Sequence, residues 1–312
     1  MAQNINTINM SRSEWLEERR KGIGGSDAAA IMGLNPWRTP YAVWADKTGQ
    51  LPEKEDTESM RQGRDLEDYV AHRFMESTGK KVRRRNQIIK NDQYPFAFAN
   101  VDRMVAGENA GLECKTTSVL NLKKFKNGDF PDTYYCQCVH YMAITGADRW
   151  YLAVLVFGSD FKVFTIERDQ EEIDALMAEE QYFWDNFVKK NMPPPVDGYL
   201  PTTEAINVIY KDAISDSTPV DLFGRESIFD NLANIKARIK ELKRDQEECE
   251  QIIKSDLGPN EYGQVGKYSV SWKVQSRTTF DHKKFVADNP NIDLSNYYKT
   301  STGRVLRIKE AK

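Results

Sequence analysis

Three side chains that together can hydrolyse phosphate esters lie in residues 94–117, YPFAFANVDRMVAGENAGLECKTT. Asp102 follows one apolar run, and Glu113 and Lys115 lie in a second run beyond a glycine-containing polar loop. Apolar runs on both sides of such a loop predict a β-hairpin. Because side chains alternate along a strand, we expect Glu113 and Lys115 on one face and Cys114 on the other. The hairpin would then bring an Asp, a Glu and a Lys to one point.

This set of groups has a use in metal-assisted chemistry. Carboxylate oxygens suit Mg²⁺, which keeps several waters and takes few protein ligands. The ion can activate water beside a phosphodiester, while the lysine orients that water or offsets the charge that develops on phosphorus. A surface hairpin with an ordinary Glu–Lys pair has the same pattern, so the elements around it must decide between the two interpretations.

A glycine-rich turn, residues 22–27, precedes an alanine-rich helix that Ser26 or Asp27 would cap. Backbone N–H groups at such a helix start are free to hold an anion. Arg19, Arg20 and the Ser26 hydroxyl are close enough in sequence to help. The alternative is a capped helix after a flexible turn, with no ligand.

Residues 60–78 predict a helix that ends at Gly79. Glu67 lies beside its apolar stripe, where it is either a solvated edge residue or a carboxylate that reaches the metal from the helix side. Residues 132–145 predict a second helix, ended by Gly146. Gln137 on that helix can hold the attacking water or a phosphate oxygen, or be a polar residue at a helix–sheet boundary.

Two basic clusters flank the hairpin: Lys80, Lys81, Arg83, Arg84 and Arg85 before it, and Lys123, Lys124 and Lys126 in a loop-like segment after it. On a strand, Arg83 and Arg85 would face one way and Arg84 the other. These clusters are candidates for contacts to a phosphate backbone. The first cluster fits equally well with an edge strand protected by charge.

The remaining elements complete a fold. Strands are predicted at 86–90, 150–157 and 161–166, and a further helix at 170–190. The order helix, strand, hairpin, helix, strand pair, helix predicts a mixed sheet covered by helices.

The composition limits the possible classes of protein. The chain has 312 residues, 40% hydrophobic and 29% charged, as expected for a soluble globular protein of one large or two modest domains. No apolar run has the length of a membrane span and no apolar signal region is visible, so we expect no membrane association and a cytoplasmic protein. The four cysteines lack zinc-site spacing and are expected to be reduced. A net charge of −3 means that nucleic-acid binding needs a local basic patch.

Residues 11–198 resemble the YqaJ-type viral recombinases, the group of phage alkaline exonucleases related to the lambda exonuclease within the PD-(D/E)xK nuclease fold. The resemblance rests on ordered motifs: Arg19 followed by residues 22–29 (GIGGSDAA), Gly63-x-x-x-Glu67, Asp102, Glu113-Cys114-Lys115, and Gln137. The sequence departs from the family pattern at the leading proline, because Asn100-Val101-Asp102 stands in its place.

The resemblance implies an α/β (α+β) fold with a restriction-endonuclease-like core, a central mixed sheet flanked by helices. It implies a Mg²⁺-dependent 5′-to-3′ exonuclease on double-stranded DNA ends, with Mn²⁺ able to substitute, that leaves 3′ overhangs for a single-strand annealing protein (RecT-like). A phage or prophage origin in a bacterial host, and a homo-oligomer of ring shape, would follow.

The resemblance also assigns roles to residues. Asp102, Glu113 and the Cys114 carbonyl match metal ligands, Glu67 matches a helix carboxylate near the metals, and Lys115 and Gln137 match the catalytic lysine and glutamine. Arg19 and Ser26 match a pair that grips the 5′ phosphate. The DNA-binding surface is expected to add the following residues: Arg20, Asn100, Arg83, Arg85, Lys123 and Lys124.

The chain beyond the resemblance predicts an appendage. We expect an exonuclease domain at 1–198 and, at 199–312, a C-terminal helical or α+β part. Apolar residues from Ile228 to Ile253 alternate spacings of four and three, a heptad pattern that predicts a long helix over 225–257. Strands are predicted at 268–274 and 304–308. Clamping DNA, self-association, docking of a recombination partner and a purely structural role remain open.

Two alternative functions remain at this point. An endonuclease of the same superfamily would keep the fold and the chemistry but need no DNA end. A DNA-binding or adaptor module would keep the fold without turnover.

Overall fold

A computed structural model describes residues 4–53, 56–212, 218–300 and 304–308. The chain forms two compact units, one of Met1–Asp212 with Gly303–Lys312 and one of Ala213–Thr302. In the described part of the chain, no helix is both long and apolar enough to cross a membrane.

The first unit alternates helices and strands. Its elements are, in order, β1 (Ile5–Asn6), α1 (Arg12–Arg20), β2 (Ile23–Gly24), α2 (Gly25–Ile31), α3 (Pro40–Lys47), α4 (Glu58–Thr78), β3 (Val82–Arg84), β4 (Gln87–Lys90), β5 (Ala97–Ala99), β6 (Arg103–Val105), β7 (Ala110–Thr117), a 3₁₀ helix (Val119–Phe125), α5 (Asp132–Thr145), β8 (Arg149–Val156), β9 (Asp160–Glu167), α6 (Gln170–Phe183), a π-helical turn (Trp184–Val188) and α7 (Leu200–Ile209).

The central sheet has the strand order β3-β6-β7-β8-β9. Strands β7 and β8 run parallel and the other neighbours antiparallel, so the sheet is mixed, as predicted. A smaller sheet has the order β1-β4-β5-β2 and contains the two short N-terminal strands. Mixed sheets flanked by helices are the architecture that was predicted, and the α/β fold class is confirmed.

Side-chain alternation divides the core of the first unit between the two faces of the central sheet. From β8, Leu152 and Val154 join α5 in the larger apolar cluster. Tyr151 and Ala153 of the same strand join Phe74 of α4 in a second cluster. Helices α4 and α5 therefore cover opposite faces of the central sheet.

The helix ends follow local sequence signals. Both α4 and α5 end as predicted, at Gly79 and Gly146, where φ is +71° and the backbone is left-handed. The prediction that Ser26 or Asp27 caps α2 was wrong. Gly24 is the N-cap residue, and Asp27 lies at the third helical position with its Oδ2 accepting the Gly24 N–H over 3.0 Å.

The predicted hairpin is present, with one correction to its first strand. The apolar run before Asp102 is not continuous with the hairpin, because β5 pairs with β4 and β2 in the smaller sheet. The hairpin consists of β6 and β7, and Asp102 immediately precedes β6. Gly111 in β7 cannot carry a side chain, since a Cβ there would lie 2.2 Å from the Trp150 ring.

Two further segments differ from the predictions. The loop-like segment after β7, which carries Lys123 and Lys124, is the 3₁₀ helix Val119–Phe125. Helix α7 belongs to the first unit, where Thr202 Oγ1 lies 2.8 Å from Thr39 Oγ1. The first unit thus extends beyond residue 198.

The second unit contains α8 (Glu226–Leu257), the antiparallel pair β10 (Tyr262–Val265) and β11 (Tyr268–Ser271), α9 (His282–Asp288) and a 3₁₀ turn (Ser295–Tyr297). The long predicted helix corresponds to α8. The prediction of a strand over 268–274 was too long, since β11 ends at Ser271. Residues 304–308 form no strand, so that prediction was wrong. Along α8 the apolar residues of the heptad pattern are largely exposed, for example Leu242 at 63%.

Candidate active site

Asp102 and Glu113 are brought together by the pairing of β6 with β7. Arg103 is paired with Leu112, so the preceding residue, Asp102, lies beside the β7 segment that carries Glu113. The backbone N–H of Cys114 donates a hydrogen bond of 2.8 Å to Asp102 Oδ2. The Cys114 side chain packs on the opposite face, against the α4 cluster. The expected alternation along β7 is therefore observed.

Gln137 of α5 links Glu113 with Lys115. Its Nε2 donates to Glu113 Oε1 over 2.8 Å and to the Tyr141 hydroxyl over 2.8 Å, and its Oε1 accepts from Lys115 Nζ over 3.0 Å. Lys115 also forms an ion pair with Glu113 Oε1. Glu113 and Gln137 are buried. The residues Asp102, Glu113, Lys115 and Gln137 thus form one connected cluster, which we call the carboxylate–lysine cluster.

Burial and mutual repulsion shape the charges of this cluster. Burial raises the pKa of Asp102 well above its usual range, and the Glu113 carboxylate raises it further. Burial also raises the pKa of Glu113, an effect that Lys115 only partly offsets. For Lys115, burial lowers the pKa, but Glu113 and Asp102 outweigh it, so the pKa of Lys115 is raised. A positive charge placed between Asp102 and Glu113 would therefore stabilise the ionised form of both carboxylates.

The cluster fits a hard divalent cation with few protein ligands. Glu113 Oε2 is buried and has no hydrogen-bond partner among the described residues, so one carboxylate oxygen remains available to a ligand. No group of three or more His, Cys, Asp or Glu side chains in the described chain is arranged to hold a metal. A site built here would use two carboxylates, a backbone carbonyl and water, which is the coordination that Mg²⁺ accepts.

Glu67 forms an ion pair with Arg103, a residue that the sequence reasoning missed. Arg103 is buried and pairs with Glu67 Oε1 and with Asp68 Oδ1, and it donates to the Asp102 carbonyl over 2.7 Å. The charge of Glu67 still raises the pKa of both Asp102 and Glu113. The only sequence signal for Arg103 was a basic residue directly after the candidate aspartate.

Arg19 and Ser26 are brought together as expected. Arg19 Nη2 donates to Ser26 Oγ over 2.8 Å, and the Arg19 guanidinium lies 4.6 Å from the centroid of the Trp15 ring. Arg20 is directed elsewhere, with Nη2 at 3.5 Å from the Leu51 carbonyl and Nε at 4.0 Å from Asp46. Of the three groups expected at an anion site, two therefore lie together.

A buried ion network, also missed in the sequence, supports this pair. Asp27 is fully buried, with Lys47 Nζ at 2.7 Å and Arg38 Nη1 at 2.8 Å. Lys47 Nζ also donates to the Arg19 carbonyl over 2.8 Å. Although burial would raise the pKa of Asp27, Lys47, Arg38 and Arg19 hold it well below its usual range. Asp27 thus fixes the backbone that carries Arg19.

A cleft of about 510 Å³ lies between the Arg19–Ser26 pair and the carboxylate–lysine cluster, with Ser26 and Gln137 in its lining. Ser26 lines one part of it, and Gln137 and Tyr134 line another. Lys124 from the 3₁₀ helix and Trp37 from the loop after α2 complete much of its wall. A single cavity therefore contacts Ser26 of the expected phosphate site and Gln137 of the carboxylate–lysine cluster.

The other candidate DNA contacts have mixed placements. Lys123, Arg83 and Arg85 are exposed, and none of them forms an ion pair in the part of the chain that the structure describes. Arg84 differs, because its Nη2 lies 2.9 Å from Asp68 Oδ2. Asn100 is half-buried, with its Oδ1 buried and without a hydrogen-bond partner among the described residues.

The four cysteines are free thiols. Cys136 and Cys138 are buried in α5. Burial raises the pKa of the Cys136 thiol to about 11, which leaves it unreactive at neutral pH.

Comparisons with known proteins give the following matches. Residues 14–148 match the model of the YqaJ-like viral recombinase domain. The chain is 42% identical over 288 residues to the uncharacterized protein YqaJ of Bacillus subtilis (strain 168), covering 91% of this chain and 90% of that protein. Among solved structures, it is similar to an alkaline exonuclease (LHK-Exo) from Laribacter hongkongensis, with a TM-score of 0.50, 20% identity and coverage of 57% of this chain and 93% of that one. A structure of LHK-Exo in complex with dAMP matches with a TM-score of 0.50, 22% identity and the same coverage.

Proposed function

Because this chain belongs to the YqaJ-like viral recombinase family, we propose that it is a Mg²⁺-dependent exonuclease that degrades one strand of duplex DNA from its 5′ end. The observation that carries the proposal is the carboxylate–lysine cluster, in which Gln137 connects Glu113 with Lys115. The fold shared with an alkaline exonuclease, one structure of which holds dAMP, supports a nuclease that releases nucleotides. The product would carry a 3′ overhang.

Lys115 acts in this proposal as a hydrogen-bond donor. Its raised pKa means that the ammonium keeps its proton at neutral pH, so Lys115 does not serve as a base. It orients the attacking water or stabilises the negative charge on the phosphate oxygens. As the water oxygen bonds to phosphorus and gives up a proton to solvent, the P–O3′ bond breaks, O3′ takes up a proton from solvent, and a 5′-mononucleotide leaves.

Mg²⁺, with Mn²⁺ able to replace it, would be held by Asp102, Glu113 and the Cys114 carbonyl, and it would lower the pKa of a bound water and offset charge on the phosphate. Gln137 keeps Glu113 and Lys115 at fixed positions through its two hydrogen bonds. Glu67 adds negative charge from α4, and its pairing with Arg103 would compete with any contact to the ion.

Binding of the 5′ phosphate would set the direction of digestion. We place the terminal phosphate at Arg19 and Ser26, because Arg19 bonds to Ser26 and Ser26 lines the same cleft as Gln137 of the cluster. Lys124 lines the same cleft and is proposed to contact the DNA. Further contacts are proposed for residues outside the cleft: Lys123, Arg83, Arg85, Arg20 and Asn100. Charge-assisted bonds to phosphate are among the strongest that a protein makes.

The biological setting is part of the proposal. The 3′ overhang suits a single-strand annealing protein (RecT-like) in phage-type recombination within a bacterial cytoplasm. Enclosure of the DNA by a ring-like homo-oligomer would prevent loss of the end between cleavage steps. The first unit, which extends past the expected boundary at residue 198 to include α7, would form the exonuclease domain, and the second unit would form the appendage.

Digestion of linear duplex DNA with Mg²⁺, with 5′-phosphate and 5′-hydroxyl ends compared, tests the proposal. We expect faster degradation from the phosphorylated end, release of 5′-mononucleotides and no cutting of covalently closed circular duplex. Cutting of the circle would support an endonuclease of the same superfamily. Duplex binding without degradation would support a DNA-binding module.

A further inference from the structure

We propose that Trp37 forms a stacking subsite for the nucleobase at the 5′ end of the bound strand. This inference rests on the proposed function, since it names the part of the same DNA that the cleft holds beyond the phosphate. Neither the family match nor the metal chemistry assigns this residue a role.

Trp37 is unusually exposed for its size and hydrophobicity, at 84%. Leu34, three residues earlier, is also exposed. Tryptophan normally buries most of its ring, because the ring removes a large apolar area from water. An isolated exposed apolar residue needs no explanation, but here the exposed group lines a cavity. The ring is therefore available to a ligand in that cavity.

The loop that carries Trp37 is held firmly. The Trp37 N–H donates to Asn35 Oδ1 over 2.9 Å, an Asx turn. The next residue, Arg38, is anchored by Asp27 at 2.8 Å and by Asp46 at 2.7 Å. Thr39 then caps α3 through the Ala42 N–H. Because the backbone on both sides is fixed, the conformational entropy lost when a base stacks on Trp37 would come from the side chain and not from the loop.

The cleft has a part that can hold a phosphate, a part next to the catalytic cluster and an apolar part. These parts match the phosphate, the bond to be cleaved and the base of a nucleotide. Ser26, which bonds to Arg19, and Lys124 can hold a phosphate. Gln137 marks the side of the carboxylate–lysine cluster. Leu34, Pro36 and Trp37 supply the apolar side. The volume of about 510 Å³ lies within the usual range of small-ligand sites.

The polar lining favours a nucleotide over an apolar protein segment as the occupant. Ser26, Thr117, Asn121 and Lys124 line the same cavity as Trp37. A groove for an apolar peptide would leave these groups without partners when it closed. A nucleobase has an apolar face that stacks on an aromatic ring and polar edges that accept hydrogen bonds.

Binding of a 5′-phosphorylated duplex by fluorescence anisotropy, without metal so that no cleavage occurs, tests the subsite. One duplex has an intact 5′-terminal nucleotide and the other has an abasic analogue in its place. Stacking of one base on an aromatic side chain corresponds to about 5- to 150-fold in affinity. We expect wild-type protein to bind the abasic end more weakly by a factor in this range. Trp37→Ala should bind the intact end more weakly than wild type does, by the same factor. It should bind the abasic end as tightly as wild type does.

Two control variants sharpen the result. Trp37→Phe should keep most of the discrimination, because phenylalanine retains an aromatic face. Phe223→Ala removes another highly exposed aromatic residue, in the second unit, and should bind like wild type.

The outcomes separate the subsite from the nuclease function. If wild type and Trp37→Ala favour the intact end equally while both degrade DNA, the subsite is overturned and the nuclease stands. If wild type binds neither end, both proposals fail. If Trp37→Ala binds DNA normally but loses self-association, the ring contacts another protein chain and the stacking role is wrong.

Discussion

Asp102 accepts a hydrogen bond of 2.8 Å from the backbone N–H of Cys114, which lies between Glu113 and Lys115. One carboxylate is thereby tied to the strand that carries the other carboxylate and the lysine. Because a slip of one residue would turn the side chains of β7 to the opposite face, the site depends on the register of β6 and β7. The tight fit of Gly111 against Trp150 helps to fix the register of β7 against its other neighbour, β8.

Replacement of Gln137 by leucine should slow catalysis. Gln137 contacts both Glu113 and Lys115, so its loss frees both side chains to move. Residues that orient a metal ligand in this way typically contribute about 10- to 100-fold to activity. Single-turnover digestion should show a reduction of that size, while the affinity for duplex DNA without metal stays close to wild type. Gln62→Leu, on the exposed surface of α4, should digest DNA normally. A reduction confined to affinity would show that Gln137 binds DNA and does not position the cluster.

Replacement of Ser26 by alanine should weaken the preference for a 5′-phosphate. Hydrogen bonds to charged groups contribute about 1.5–3 kcal/mol, so we expect a loss of about tenfold or more in the ratio of digestion rates for phosphorylated and hydroxyl ends. Ser159→Ala, in the exposed turn between β8 and β9, is the matched control. An unchanged ratio in Ser26→Ala would move the phosphate site elsewhere.

The buried pair of His140 and Glu180 should make stability depend on pH. His140 Nδ1 lies 2.8 Å from Glu180 Oε1, and Nε2 lies 2.9 Å from the Phe98 carbonyl, so both ring nitrogens face acceptors. Burial lowers the pKa of His140, but Glu180 and these hydrogen bonds outweigh it, with a smaller contribution from Asp27, so the pKa is raised above 6.5.

The sign of the effect follows from that direction. A raised pKa in the folded state stabilises the protein fully below pH 6.5, and the stabilisation is lost as pH rises through the folded value. Urea unfolding across this range should therefore show a decline of at most about 1.4 kcal/mol per pH unit from this group. The decline should shrink in Glu180→Gln and remain in His72→Gln, which alters an exposed histidine of α4. Equal slopes in wild type and Glu180→Gln would remove the pair as the cause.

The exposed apolar seam of α8 should mediate self-association. A 32-residue helix with heptad spacing and exposed Ile239 and Leu242 gains stability when another helix covers it. Light scattering of the full chain at micromolar concentration should show an oligomer that Leu242→Asp dissociates. Leu222→Asp, at another exposed leucine, should leave the mass unchanged. A wild-type monomer under these conditions would argue against the homo-oligomer.

Local patterns were sufficient to predict much of the fold and part of the site. The alternation along β7 predicted the shared face of Glu113 and Lys115, and left-handed glycines marked the ends of α4 and α5. These features depend on residues close together in sequence, so the sequence contains their signals.

Features that depend on distant contacts were not predicted. The break between β5 and β6 arises because β5 pairs with another sheet. Arg103 binds Glu67 across 36 positions of the sequence, and Lys47 reaches the Arg19 carbonyl across 28. A buried ion pair has the same local pattern as a solvated one, so only the tertiary structure distinguishes them.

The most direct test of the proposed chemistry is single-turnover digestion of 5′-phosphorylated linear duplex by Lys115→Ala with Mg²⁺. Lys162→Ala serves as a matched control, because Lys162 pairs with Asp160 at the start of β9, outside the cluster. We predict that Lys115→Ala binds duplex DNA and degrades it at least 100-fold more slowly, while Lys162→Ala degrades it at the wild-type rate. Digestion by Lys115→Ala at the wild-type rate would contradict the account, because the carboxylate–lysine cluster would then not be the catalytic site.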